Sequence, residues 1–146
     1  MIAVDTNVLV TAHREDLPKH RLALERLSEL VLGDIPWAIP VFCLGEFVRV
    51  VTHPRLFDPP SSLDEGIAAL QSLFESPMLR ILLPGSRYPR LFAEALRQAD
   101  ARGNLAFDAQ IAAVCHEQGA GRLLTMDRDF ARFPGLHMLD LETRLP

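Results

Sequence analysis

Met1-Ile-Ala-Val-Asp-Thr-Asn-Val-Leu-Val10 opens the chain. Ile2, Ala3 and Val4 form a short apolar run without polar alternation, the pattern of a strand covered on both faces. Asp5, Thr6 and Asn7 follow at once, and Val8, Leu9 and Val10 return to apolar character. A carboxylate at the end of a central strand lies at the carboxyl edge of the sheet, where open α/β folds build their sites. The same residues have a plainer reading, because Asp5 or Thr6 can simply cap the next helix. Three carboxylates further along tilt the balance towards a site.

Working outward, residues 17–32 place Leu24, Leu27, Leu30 and Val31 at helical spacing, with Gly33 as the stop. Trp37-Ala38-Ile39 reads as a second strand closed by Pro40. Residues 41–52 are apolar all round except at Glu46 and Arg49, which predicts a buried helix with a single acid. A proline-rich loop over 55–62 leads to a helix at Leu63–Phe74, and 80–83 reads as a third strand. Helices over 89–101 and 105–118 follow, the second carrying Asp108. A strand over 122–125, a short helix over 128–133 and a last strand over 136–139 complete the chain. Strands alternating with helices predict a parallel sheet with helices on both faces.

At 146 residues, with 49% hydrophobic and 23% charged residues, the composition predicts one globular domain spanning 1–146. No apolar run reaches the roughly 18 residues of a membrane span, and no basic region precedes an apolar segment at the N-terminus. The expectation is a cytoplasmic protein without a membrane partner. Cys43 and Cys115 sit in apolar surroundings without metal-ligand spacing, as buried free thiols do. The formal charge of -4 is not a generic nucleic-acid footprint. The basic residues are nearly all Arg, Lys19 being the only lysine.

Asp5, Glu46, Asp108 and Asp127 each lie at a strand end or inside an apolar helix, where charge is rarely found unpaired. Each also has an ordinary explanation. Glu46 can pair with Arg49 at i+3. Asp108 can serve a helix start, although Asn104 is the better N-cap. Asp127 can cap the helix over 128–133. Taken together, converging carboxylates cannot all ionise without a cation. Hard oxygen ligands suit Mg²⁺ or Mn²⁺ and not zinc. With no phosphate-binding glycine loop, phosphodiester hydrolysis by a metal-activated water is the natural chemistry.

Val4-Asp5-Thr6-Asn7-Val8-Leu9 resembles the opening motif of PIN-domain proteins. Leu44-Gly45-Glu46-Phe47, Asp108 to Ala113 and Leu124 to Phe130 resemble the next three motifs, in order and over nearly the whole chain. Val51 to Phe57 and Gly103 to Asp108 further resemble the VapC-type toxins of bacterial type II toxin–antitoxin pairs. The resemblance implies a three-layer α/β/α sandwich, strand order 3-2-1-4-5, and a Mg²⁺-dependent ribonuclease. It places Asp5, Glu46 and Asp108 on the metal-binding acids and Asp127 on a fourth, more variable one. Thr6 and Thr125 match the hydroxyl positions beside them, and Asn7 matches a structural position. Asp129 competes with Asp127, which is preferred because it is nearer the strand end. The resemblance also implies an RNA substrate, with tRNA and rRNA loops as its usual form, a small antitoxin over the site, and a homodimer.

Two alternatives remain at this point: a PIN-fold RNA-processing nuclease outside toxin–antitoxin systems, and a catalytically silent binding module. A receiver domain would want a lysine near the end of the chain and is set aside. Arg14, Arg49, Arg55 and Arg128 are candidates for RNA phosphate contacts. Trp37 and Tyr88 are read as core residues before base-stacking ones. His13, His20, His53, His116 and His137 are read as surface or cap residues. Leu56 and Phe57 are assigned to loop packing before a partner surface.

Overall fold

β1 (Ile2–Val4) is wholly buried and lies at the centre of a five-stranded parallel sheet of order β3-β2-β1-β4-β5. The computed structural model describes residues 1–145. β2 (Trp37–Pro40) pairs with β1 through Ile2↔Trp37, and β4 (Arg122–Leu124) pairs on its other side through Val4↔Leu124. β3 (Leu79–Leu82) and β5 (His137–Leu139) form the edges. The chain therefore leaves β1 in one direction and returns on its other flank. The carboxyl ends of β1 and β4 meet at this reversal, the usual place for a site in an open α/β sheet.

Among the described residues six helices complete the α/β/α sandwich: α1 (Thr6–His13), α2 (His20–Leu32), α3 (Val41–Val51), α4 (Leu63–Phe74), α5 (Tyr88–Ala99) and α6 (Leu105–Glu117). α1 packs on α2 and α3, α3 on α4, and α5 on α6. A 3₁₀ turn at Arg128–Arg132 joins β4 to β5. The strand order and the alternation agree with the expectation. α2 starts at His20 and not at residue 17, because Leu17 and Pro18 form the turn after α1.

α3 departs from the expectation of a buried helix. Cys43, Phe47 and Val51 are buried, whereas Phe42, Leu44, Val48 and Val50 remain partly open. These four pack partly buried against the core, and Phe42 also borders an open groove.

Trp37 is fully buried in β2 and its indole N–H donates to Ser76 Oγ at 3.2 Å. Cys43 and Cys115 are buried and free, and burial raises both thiols, Cys115 to about 12. Replacing Trp37 by alanine empties the core beside the central strand. The Trp37→Ala protein is expected to lose about 3–5 kcal/mol, read as a lower urea midpoint with an unchanged slope.

Candidate active site

Asp5 continues the β1 pairing, its N–H donating to Leu124 O at 3.0 Å, before its carboxylate takes over as the N-cap of α1. Its Oδ1 accepts from Thr6 N at 2.7 Å. Its Oδ2 accepts from Asn7 Nδ2 and from Thr125 Oγ1, both at 2.7 Å. The capping reading and the strand-end reading of Asp5 thus both hold. Only 5% of Asp5 is exposed. Burial is the main reason its pKa rises to about 6; hydrogen bonds from Thr125 and Thr6 lower it, and the charges of Glu46 and Asp127 raise it.

Around this carboxylate the short polar side chains form a connected network. Thr125 Oγ1 accepts from Asn7 Nδ2 at 3.2 Å and from Asp127 N at 3.0 Å. Asn7 Oδ1 accepts from Met126 N at 3.2 Å. Asn7 therefore ties the end of β1 to the end of β4, as its structural assignment requires. Thr6 Oγ1 donates to Glu46 Oε2 at 2.8 Å, which links α1 to α3. The other Glu46 oxygen lies 3.5 Å from the Arg49 guanidinium.

Above the network lies an open groove of about 800 Å³ between α3, the start of α6 and the turn after β4. Glu46, Asp108, Asp127, Asp129 and Arg49 line it. Asp5, Thr6 and Thr125 are buried beneath and are not part of its wall.

Asp108 is in the first turn of α6. Its carboxylate takes no hydrogen bond among the described residues, and its pKa rises to about 7. The first cause is burial, followed by the charges of Asp127, Asp5, Asp129 and Glu46. Asp127 caps the 3₁₀ turn, its Oδ1 accepting from Asp129 N at 2.8 Å. Asp127 and Asp129 both line the groove, and the charge of Asp127 helps raise both Asp5 and Asp108. Among the described residues no three His, Cys, Asp or Glu side chains form a ready-made metal-holding group.

The PIN domain profile matches residues 2–136. Ribonuclease VapC43 of Mycobacterium tuberculosis is 40% identical over 148 residues, covering 99% of this chain and 100% of the relative. The chain is a PIN-domain protein of the VapC family. A second relative, ribonuclease VapC31 of M. tuberculosis, is 35% identical over 133 residues, covering 91% of this chain and 93% of the relative.

Solved structures agree on the PIN fold. VapBC2 of Rickettsia felis, bound to a promoter DNA fragment, matches with a TM-score of 0.69 at 21% identity, covering 96% of this chain and 98% of that one. VapC20 of M. tuberculosis, described as a sarcin–ricin loop cleaving toxin, matches at 0.68 and 19% identity, covering 90% of this chain and 93% of that one. No helix among the described residues is long and apolar enough to cross a membrane.

Other residues fall elsewhere than the sequence placed them. Of the four arginines, Arg49 lines the groove. Arg14 is instead part of the scaffold: it pairs with Asp16, donates to Pro59 O at 3.1 Å and stacks 4.2 Å over Phe57. Phe57 is thereby held in the loop while Leu56 stays exposed. His13, in the last turn of α1 as a cap residue would be, is half-buried: its ring meets Phe47 edge-on at 5.4 Å and Nε2 lies 2.9 Å from Ser61 Oγ.

The groove also holds Phe42, Phe107 and Gln110, to which the sequence reading assigned no role, and Asn104, which it took only as a helix cap. The signal for Phe107 was its place directly before Asp108 in a helix otherwise committed to the core.

Proposed function

We propose that this VapC-family chain is a Mg²⁺-dependent endoribonuclease, with Mn²⁺ as a substitute, and the toxin of a type II toxin–antitoxin pair. One observation carries the reading: four segments distant in sequence bring Glu46, Asp108 and Asp127 to one groove and Asp5 beneath it, where burial and the charges of the other acids raise the pKa of Asp5 and Asp108. The donor set fits a hard divalent cation, because it offers carboxylate oxygens and no thiolate or imidazole. Glu46, Asp108 and Asp127 would hold the ion from the groove and Asp5 from beneath, with Asp129 the competitor of Asp127. Such an ion supplies a water of lowered pKa and offsets charge building on the phosphate.

The chain's own residues do the positioning. Thr125, Asn7 and the Thr6 N–H fix the rotamer of Asp5, and the Thr6 hydroxyl fixes Glu46. Arg49 offers its guanidinium to a phosphate oxygen from the groove wall. RNA as the substrate is supported by relatives named as ribonucleases at 35–40% identity.

An antitoxin partner is supported by neighbours solved as VapBC complexes. It is also supported by the open apolar face of α4, where Leu63, Ile67 and Phe74 are exposed. A homodimer is the second assembly proposed. A silent binding module is disfavoured because none of the four acids is missing.

The test is cleavage of a structured RNA by the purified protein in Mg²⁺ and in EDTA, with and without the cognate antitoxin. Cutting is expected only with the ion and without the antitoxin. Equal cutting in EDTA would reject the metal, and no cutting at all would turn the reading towards a binding module.

A further inference from the structure

Phe107 is 61% exposed although it belongs to α6, five of whose following residues are buried as a continuous run from Ile111 to Cys115. It lines the groove directly before Asp108. Phe42, on α3, lines the same groove. Its ring is braced from behind by Tyr88 at 5.8 Å, which stacks in turn on Phe92 at 5.6 Å with planes 5° apart. One aromatic face is therefore fixed and the other is bare, on the two helices that carry Glu46 and Asp108.

Two amides stand beside these rings. Asn104 occupies the N-cap position of α6, yet its side chain makes no capping hydrogen bond. Gln110 lines the same groove, and neither amide has a side-chain partner among the described residues. An aromatic face binds any base by stacking, and free amides can bond base edges. Acids, an arginine, two rings and two free amides match the parts of a nucleotide: phosphate, base face and base edge.

We propose that Phe107 stacks on an unpaired nucleobase of the substrate strand, beside the phosphate on which the acids act, with Phe42 as the facing wall and Asn104 and Gln110 reading the base edge. This rests on the ribonuclease reading and adds to it a base-holding subsite. A base inside a duplex is stacked on its neighbours and cannot offer its face to Phe107, so the cut nucleotide must be unpaired or extruded.

The experiment uses the full chain and three substitutions, Phe107→Ala, Phe107→Leu and Phe107→Trp. Cleavage of a single-stranded oligoribonucleotide is measured in Mg²⁺ beside wild type and Asp5→Asn. Phe107→Ala is expected to raise KM roughly five- to a hundred-fold, and Phe107→Leu is expected to give no rescue, because it restores apolar bulk without a π face. Phe107→Trp is expected to keep wild-type KM. Its fluorescence is expected to be quenched by the single strand and not by a duplex of the same sequence, with buried Trp37 as a constant background. Asn104→Ala and Gln110→Ala are expected to shift the preferred base at the cut.

Wild-type KM in Phe107→Leu, or equal quenching by duplex, would overturn stacking while leaving the nuclease intact. Unchanged RNA cleavage in Phe107→Ala together with weakened antitoxin binding would assign the ring to the protein partner instead. Cutting that Asp5→Asn does not reduce would instead remove the ribonuclease reading, and this inference with it.

Discussion

Asp108→Asn is expected to abolish RNA cleavage and, at neutral pH, to make the ion-free protein more stable than wild type. The loss of activity follows from removing a charged oxygen from the groove. It should exceed the 10–100-fold effect typical of residues that only orient a metal ligand. The gain in stability follows from the surroundings of the carboxylate. Asp108 accepts no side-chain hydrogen bond among the described residues, yet is acted on by four like charges.

Its proton affinity is raised by folding, from the ordinary 3.8 to about 7. The folded chain therefore holds this proton more tightly than the unfolded chain does. The resulting stability is complete below about pH 4 and is lost as the pH rises through 7. Asparagine mimics the protonated form and keeps that stability. Because the side chain is only half-buried, solvent screening limits the gain to about 1–2 kcal/mol, a few degrees in Tm. Melts in EDTA should converge near pH 4 and separate towards pH 7. Added Mg²⁺ should then raise the Tm of wild type and not of Asp108→Asn. A lower Tm for Asp108→Asn at pH 7 would sink the argument.

Asp5→Asn should be equally inactive but should gain nothing in stability. Asp5 is also raised by burial, to about 6. Here, however, both oxygens are engaged by three donors: Thr6 N, Asn7 Nδ2 and Thr125 Oγ1. An asparagine amide has one acceptor oxygen, so an N–H must face one of those donors. Leaving a buried donor unsatisfied costs about 1–3 kcal/mol, which offsets the relief from removing the charge. Cleavage is expected to fall more than about a hundredfold, with a Tm at or below that of wild type at pH 7. The two acids thus share a raised pKa and differ in the sign of their neutral variants. Equal stabilisation by both would mean that the Thr125–Asn7 network does not hold Asp5.

The contrast between these acids also marks how far the sequence could be read. Unalternated apolar runs identify β1, β2 and β4 because central parallel strands are covered on both faces, and the motifs around Asp5, Glu46, Asp108 and Asp127 give their order. The same logic placed α3 correctly but overstated its burial. Composition records that Phe42, Leu44 and Val48 are apolar but not that each is only partly covered, Phe42 at the edge of the groove.

Arg14 looked like a phosphate contact because spacing cannot reveal Phe57 and Asp16 folding back onto it. Asp5 was posed as either cap or site residue. The geometry shows the cap directly, and it leaves the other carboxylate oxygen bonded to Asn7 and Thr125 beside the groove acids, so one position is compatible with both readings. Phe107 was hidden by a helix whose average character is core.

The Asn7 amide joins Asp5 to Thr125 and Met126, across as much as 119 residues of chain. The bonding imposes an order on how the network can form. Asp5, Thr6 and Asn7 are synthesised before β4, and Thr125 follows Asn7 by 118 residues. A fragment that stops short of Thr125 contains Asp5 but lacks the hydroxyl that donates to its Oδ2. The wiring of the sheet thereby makes the final setting of Asp5 wait for β4.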